Sequence, residues 1–279
     1  MKAELRGVIY HYERKGTGEP LLFLHGFTGS METWHFLEAR LARDYQLIFV
    51  DIIGHGYSES PEDSRRYAIN EVAKDLLTLL DLLNLDKVHL IGYSMGGRLA
   101  LTFACLFPER IATLILESSS PGLKTEAERM ARRLRDQKLA ESICEDGIPA
   151  FVNRWENLEL FDSQKHLPES RRSALREQRL SNQSIGLSRS LIGMGTGAQP
   201  SWWEHLSTLQ IPVLLITGAL DVKFCKIASE LRDRLPNADW QVVPVAGHAV
   251  HLEQPSDYQK RIHTFIQCHA LRLREENIK

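Results

Sequence analysis

The chain has 279 residues, 43% hydrophobic and 25% charged, with a formal net charge of −2 at neutral pH. That length carries one large α/β domain with a full core, with or without an inserted subdomain. The balanced charge excludes bulk attraction to nucleic acid or to an anionic membrane surface. No apolar run approaches the ~20 residues of a membrane span, and Met1–Arg6 lacks the apolar stretch of a secretory signal. The expectation is a cytoplasmic protein.

In chain order, Val8 to Glu13 alternates weakly and predicts an edge strand, closed by Gly16-Thr17-Gly18. Leu21-Leu22-Phe23-Leu24 is a continuous apolar run, the pattern of a strand buried on both faces. Trp34, Phe36, Leu37 and Leu41 mark a helix, and Leu47-Ile48-Phe49-Val50 the next buried strand, ending at Asp51. Ile69, Val72, Ala73, Leu76, Leu77, Leu80 and Leu83 keep helical spacing. Val88 to Ile91 is a strand that feeds Gly92-Tyr93-Ser94-Met95-Gly96, and a helical pattern follows from Gly97 to Ala104. Ile111 to Leu116 is a further strand.

From Pro121 to about His205 no buried strand signal appears; helical patterns and charge dominate, with 13 Lys+Arg and 12 Asp+Glu. The near balance argues against a basic binding surface. After it come the strand Val213–Ile216, a helix over about Cys225 to Leu235, the strand Trp240–Val243 and, past Pro255, a closing helix carrying Tyr258, Ile262, Phe265 and Ile266. Strands alternating with helices predict a mostly parallel central sheet with helices on both faces. The core is then residues 1–120 and 206–279, and residues 121–205 are a helical lid inserted above the C-terminal edge of the sheet. Cys105, Cys144, Cys225 and Cys268 lie far apart, without a CxxC pair or a metal-ligand spacing. They read as free thiols, one buried disulfide being the alternative, and no metal is expected.

A strand, then Gly-x-Ser-x-Gly, then a helix is the context of a nucleophile elbow. Side chains two residues either side of Ser94 would collide in so tight a turn, and the new helix aims its N-terminal N–H groups at the same point. A serine hydroxyl is a weak nucleophile or base until a neighbour takes its proton. Asp221 and His248 both follow late strands, where open α/β sheets place their sites. The order Ser94, Asp221, His248 is that of α/β hydrolases. Asp221 would hold His248 in one tautomer while His248 takes the Ser94 proton. Two N–H groups would form the oxyanion site: Met95, after the nucleophile, and Phe27, in the loop His25-Gly26-Phe27-Thr28-Gly29. Asp51 competes for the acid role and reads instead as a turn-former. His251 competes with His248 and reads as packing or surface. His55 reads as structural.

The stretch from Phe23 through the elbow to His248 resembles the α/β-hydrolase superfamily. Within it the chain is similar to the 2-succinyl-6-hydroxy-2,4-cyclohexadiene-1-carboxylate synthases of menaquinone biosynthesis. The residues that carry the likeness are Gly92–Arg98, Pro121-Gly122-Leu123, Trp155 in Phe151–Trp155, and Asp221–Phe224. The chain departs from the family pattern at Ala219, where an acidic residue is common, and at Ile53, where proline is. The resemblance implies a lyase that removes pyruvate from 2-succinyl-5-enolpyruvyl-6-hydroxy-3-cyclohexene-1-carboxylate, with Ser94 as general base and no cofactor. Its partner would be that small polycarboxylate, and the protein a monomer or weak homo-oligomer. It also implies substrate contacts from Tyr93, Arg98, Arg132, Trp155, Arg179 and Lys223, because three carboxylates need cations in a water-poor cleft. Arg132 could instead pair with Asp136 at i,i+4 spacing. Two rival readings remain: a serine carboxylesterase or carbon–carbon bond hydrolase on the same fold, and a ligand-binding protein without catalysis.

Overall fold

The computed structural model describes residues 1–276. Its strands are β1 (Lys2–Leu5), β2 (Val8–Lys15), β3 (Glu19–Leu24), β4 (Tyr45–Val50), β5 (Val88–Tyr93), β6 (Ile111–Glu117), β7 (Val213–Gly218) and β8 (Ala238–Val243). They form a single sheet in the order β1-β2-β4-β3-β5-β6-β7-β8. The β1–β2 and β2–β4 pairings are antiparallel and the rest parallel. The helices are α1 (Glu38–Leu41), α2 (Ile69–Leu82), α3 (Met95–Leu106), α4 (Glu126–Trp155), α5 (Glu169–Leu180), α6 (Ser184–Met194), α7 (Val222–Arg232), α8 (Val250–Glu253) and α9 (Pro255–Glu276).

The unbroken apolar runs follow from burial on both faces. Leu22 and Leu24 face α2 and α3, packing with Val72, Leu76, Leu99 and Phe103. Their chain neighbours Leu21 and Phe23 face the opposite layer, with Trp34, Tyr258 and Ile262. One strand thus serves two cores through its period of two. The segment between β6 and β7 contains α4, α5, α6 and a 3-10 turn over Glu159–His166. It keeps a small core of its own, Ala140, Ile143, Phe151, Val152, Leu187 and Leu191, against which Phe27 packs. Helix α4 opens on a capping box between Thr125 and Glu128 and is broken at Gly147, whose φ of +80° a residue with a side chain rarely adopts.

Four expectations need correction. Val8–Lys15 is not an edge strand: β1 covers it, a strand of four residues too short and too charged to announce itself. The segment around Trp34 is a 3-10 helix, Met31–Leu37, followed by the single turn of α1. Helix α7 begins at Val222 rather than Cys225, because the Asp221 side chain caps it by accepting the Phe224 N–H. It also ends at Arg232, short of the expected Leu235. All four cysteines carry free thiols. No helix of the described residues is long and apolar enough to cross a membrane.

Candidate active site

Strand β5 ends at Tyr93, α3 begins at Met95, and Ser94 between them has φ +51° and ψ −106°. Non-glycine residues held in such backbone regions cost of order 1–3 kcal/mol and persist only where neighbours enforce them. Here the enforcement is visible. The Ser94 N–H donates to the Glu117 carbonyl at 2.9 Å. A Cβ at Gly96 would overlap the carbonyl oxygens of Leu24 and His25, and one at Gly92 the Gly96 carbonyl. Both glycines are therefore required by close backbone approach.

His248 Nε2 lies 3.0 Å from Ser94 Oγ, and its Nδ1 lies 2.7 Å from Asp221 Oδ2. The carboxylate accepts only, so Nδ1 carries the proton and Nε2 is free to accept from the serine hydroxyl. Asp221 and His248 are both buried. The imidazole is enclosed by Phe224, Tyr93 and Phe161, with ring centroids at 4.6, 5.4 and 6.2 Å. The competing residues have other work. Asp51 accepts the N–H groups of Met31 and Tyr57 and so fixes a turn. His251 is fully buried against Glu117, whose carboxylate accepts its main-chain N–H at 3.0 Å and meets its Nδ1 at 2.9 Å. Glu117 therefore holds the elbow by its carbonyl and the histidine loop by its side chain. Sequence reading missed this pair, which joins residues far apart in the chain. Burial, with Glu117 nearby, holds the Tyr93 phenol well above its ordinary value, so Tyr93 stays neutral.

The second proposed oxyanion donor sits in a turn closed by Gly29 N–H to the Gly26 carbonyl, a bond that leaves the Phe27 N–H unused. His25 anchors that turn. Its Nε2 accepts the Ile52 N–H at 3.0 Å, so its Nδ1 is the donor to Gly26 O at 2.8 Å. Burial lowers the pKa of His25 to about 4 and that of His55, edge-on beside it, to about 3. Both imidazoles fold neutral. The unfolded chain binds protons near pH 6.5, the folded one only near 4 at His25 and 3 at His55, so this contribution to stability is full above pH 6.5, declines as pH falls from 6.5 towards the folded values, and levels off below them. Urea unfolding at pH 7 and pH 4.5 is expected to show a loss on the order of 2 kcal/mol from each histidine. His55→Phe is expected to shrink that loss, and equal losses in the two proteins would contradict it.

Ser94 and His248 open onto a cavity of about 370 Å³. Tyr93, Trp155, Arg98, Arg132 and Lys223 all line it, as do Phe27 and Met95. Arg98 is one helical turn beyond Ser94, and its Nη1 donates to Met194 O at 2.5 Å and Gln199 Oε1 at 3.0 Å. It has no carboxylate partner among the described residues, and burial, with the nearby Arg132 charge, lowers its pKa to about 10. Arg132 donates from Nε to Asp136 Oδ1 at 2.7 Å, the i,i+4 pair the sequence allowed, yet it still lines the cavity. Arg179 does not line it. Its guanidinium lies 5.2 Å from the Phe161 ring and donates to Gln164, with Phe161 between it and the triad cavity. The expectation that Arg179 joins the other two cations is thus corrected: an aromatic ring intervenes. Ser118, Ser120, Phe161 and Phe224 also line the cavity and were missed. Ser118 and Ser120 had a signal, since they follow the predicted strand Ile111–Leu116, and so did Phe224, which closes the stretch Asp221–Phe224.

A sheet of this order, an elbow after β5 and a hydrogen-bonded Ser-His-Asp set define an α/β-hydrolase-fold enzyme. The family model for the alpha/beta hydrolase fold matches residues 19–255. A Bacillus subtilis protein named putative 2-succinyl-6-hydroxy-2,4-cyclohexadiene-1-carboxylate synthase is 48% identical over 262 residues, covering 93% of this chain and 95% of its own length. An Enterobacter protein named as that synthase is 34% identical, over 85% of this chain and 87% of its own. The structure of MenH from S. aureus superposes with a TM-score of 0.90 at 35% identity, covering 93% of this chain and 99% of that one. The chain belongs to the 2-succinyl-6-hydroxy-2,4-cyclohexadiene-1-carboxylate synthase family of α/β-hydrolase-fold proteins.

Proposed function

We propose that this protein is a lyase of menaquinone biosynthesis that eliminates pyruvate from 2-succinyl-5-enolpyruvyl-6-hydroxy-3-cyclohexene-1-carboxylate. The observation that carries the reading is Arg98, a half-buried cation one turn from Ser94 that lines the cavity and has no carboxylate in hydrogen-bond contact among the described residues. Asp136 stabilises this charge through space without a direct contact, and an anion bound in the cavity would complete it. A simple ester supplies no such anion, whereas a polycarboxylate does. Lys223, at the cavity wall with its ammonium 5.5 Å from the Phe224 ring, has no carboxylate partner among the described residues, and Arg132, held through Nε, keeps its terminal N–H groups for substrate. Tyr93 and Trp155 shape the pocket, and Arg179 is reached only past Phe161.

In this mechanism His248 takes the Ser94 proton, with Asp221 stabilising the imidazolium, and Ser94 Oγ removes the ring proton alpha to the succinyl ketone. The Phe27 and Met95 N–H groups bind the enolate oxygen. As the enolate collapses the ring double bond shifts and the carbon–oxygen bond to the enolpyruvyl group breaks. The proton held on His248 returns to the departing group, which leaves as pyruvate. No step calls for a cofactor or metal. Residues 121–205 act as a lid that excludes water from the cations, and residues 1–120 with 206–279 form the core. The setting is the cytoplasm, with the protein a monomer or weak homo-oligomer. A lactate dehydrogenase-coupled assay with the enolpyruvyl substrate is expected to record steady pyruvate release. A burst of nitrophenol from a small activated ester, with no pyruvate from that substrate, would overturn the reading in favour of an esterase.

A further inference from the structure

Behind the cationic wall of the cavity stands one carboxylate. Asp136, on α4, is buried, and its Oδ1 accepts the Arg132 Nε–H at 2.7 Å. Its Oδ2 accepts no hydrogen bond among the described residues and packs against Gly195, where a Cβ would come within 2.5 Å of it. Gly195 follows Met194, whose carbonyl accepts from Arg98 Nη1, and the same loop supplies Gln199 Oε1 to that guanidinium. Asp136 therefore touches Arg132 directly and backs the loop that holds Arg98. The two carboxylates that line the cavity itself have separate partners: Glu128 caps α4 at Thr125, and Glu230 meets Lys124. Two guanidiniums on one wall repel each other, and a buried carboxylate beside them offsets one of their two charges.

We infer that Asp136 is a specificity-determining residue, a fixed counter-charge that leaves the Arg98–Arg132 pair with one net positive charge rather than two, so that short carboxylic acids bind the cavity weakly. The carboxylate is anchored on a helix and cannot leave, so every incoming anion meets arginines that are already half neutralised. A longer polycarboxylate makes up the difference by also reaching Lys223 on the same cavity wall. A short acid engages fewer cations and gains less. The device lowers affinity for substrate and products alike, but it favours departure of the eliminated acid, which a doubly charged wall would retain. The inference rests on the reading of Arg98 and Arg132 as carboxylate ligands and adds the group that tempers them.

The probe is succinate, titrated by calorimetry and, independently, by its protection of Ser94 from labelling by a small fluorophosphonate. In that labelling Ser94 Oγ displaces fluoride from phosphorus while His248 takes the serine proton. Asp136→Asn removes the charge but keeps a carbonyl oxygen for the Arg132 Nε–H. It is expected to lower the succinate Kd ~10-fold, the scale of one unit charge acting across a partly desolvated site. Asp136→Glu keeps the charge and is expected to hold Kd within ~3-fold of the parent. In pyruvate release Asp136→Asn is expected to lower KM and kcat together, because the products are held. A merely structural role predicts the opposite: a displaced Arg132, weaker succinate binding and a raised KM. Succinate binding unchanged or weakened in Asp136→Asn, or Asp136→Glu binding as tightly as Asp136→Asn, would overturn the inference. Should Asp136→Asn fail to fold, the same substitution in an Arg98→Met background avoids the excess positive charge. There, tighter succinate binding than in Arg98→Met alone supports the inference, and equal or weaker binding overturns it. The expected succinate shifts in a protein that releases no pyruvate would count against the synthase reading alone.

Discussion

Replacing Ser94 by alanine is expected to reduce pyruvate release ~10³-fold or more while KM stays near its original value. The hydroxyl is the only group at hydrogen-bond distance from His248 Nε2 among the described residues, so nothing in the resting site substitutes for it as base. His248→Ala is expected to lose a similar factor, and the double variant little more, since the two residues act as one unit. Asp221→Asn isolates the tautomer. The asparagine amide can accept from His248 Nδ1–H only after turning away from its donor orientation, so the ring is no longer held with Nε2 unprotonated. Ser94→Gly adds a structural control. Glycine accepts a φ of +51° without penalty, so this variant is expected to unfold at higher urea than the parent although it is inactive, the gain being on the order of 1 kcal/mol. Paired pyruvate assays and urea titrations check both halves. Substantial pyruvate release by Ser94→Ala would remove Ser94 from the mechanism.

Arg98→Met is expected to cost ~10²–10³-fold in kcat/KM for the enolpyruvyl substrate while changing stability by less than about 1 kcal/mol. The two effects have different origins. In the free protein the guanidinium is partly desolvated, has no carboxylate in hydrogen-bond contact among the described residues, and keeps two hydrogen bonds, to Met194 O and Gln199 Oε1. Removing it relieves the desolvation and forfeits those bonds, and the two terms offset. With substrate bound, the same charge meets an anion in a water-poor cavity, where truncating one partner leaves the other unpaired. Arg98→Lys separates charge from shape: a lysine keeps the charge but not the planar fork, so an intermediate loss is expected. Hydrolysis of a neutral activated ester, if any is seen, is expected to change far less than pyruvate release. Equal losses for neutral and polycarboxylate substrates would mean that Arg98 supports the elbow rather than binding an anion.

What the sequence discloses, and what it conceals, follows from how local each signal is. The run Val88–Ile91, the glycines around Ser94 and the helical spacing after it all lie within one short window, and each is dictated by a local requirement: burial on both faces, close backbone approach, amphipathic packing. Asp221 and His248 are legible because a parallel sheet delivers its loops to one edge, so position after a strand stands in for distance. The Arg132–Asp136 pair is legible because i,i+4 neighbours meet on any helix. Glu117 and His251 are not legible. They meet only because β6 and the loop after β8 converge in space, and no spacing rule connects residues so distant. Arg179 shows the same limit in another form. Its place in the chain suits a cleft cation, but whether the Phe161 ring stands in front of it depends on packing within the inserted segment. Strand β1 is hidden for a plainer reason, since four residues alternating between exposed and buried give too little pattern to separate from a turn.

The inserted segment also has a consequence for how the molecule is made. Strands β6 and β7 are neighbours in the sheet, with Leu114 opposite Val213, yet all of α4, α5 and α6 separates them in the chain. Closing so long a loop costs entropy before the pairing returns any contact energy, and non-local parallel pairing is slow for that reason. The strands up to β6 can pair early, presenting Ser94 on its elbow. Asp221 and His248 arrive only with β7 and β8, as the last pairing in the sheet closes. A partly made or partly folded chain therefore carries the serine without its base. Chemistry switches on when the C-terminal strands dock, which makes the appearance of labelling at Ser94 a direct clock for the final stage of folding.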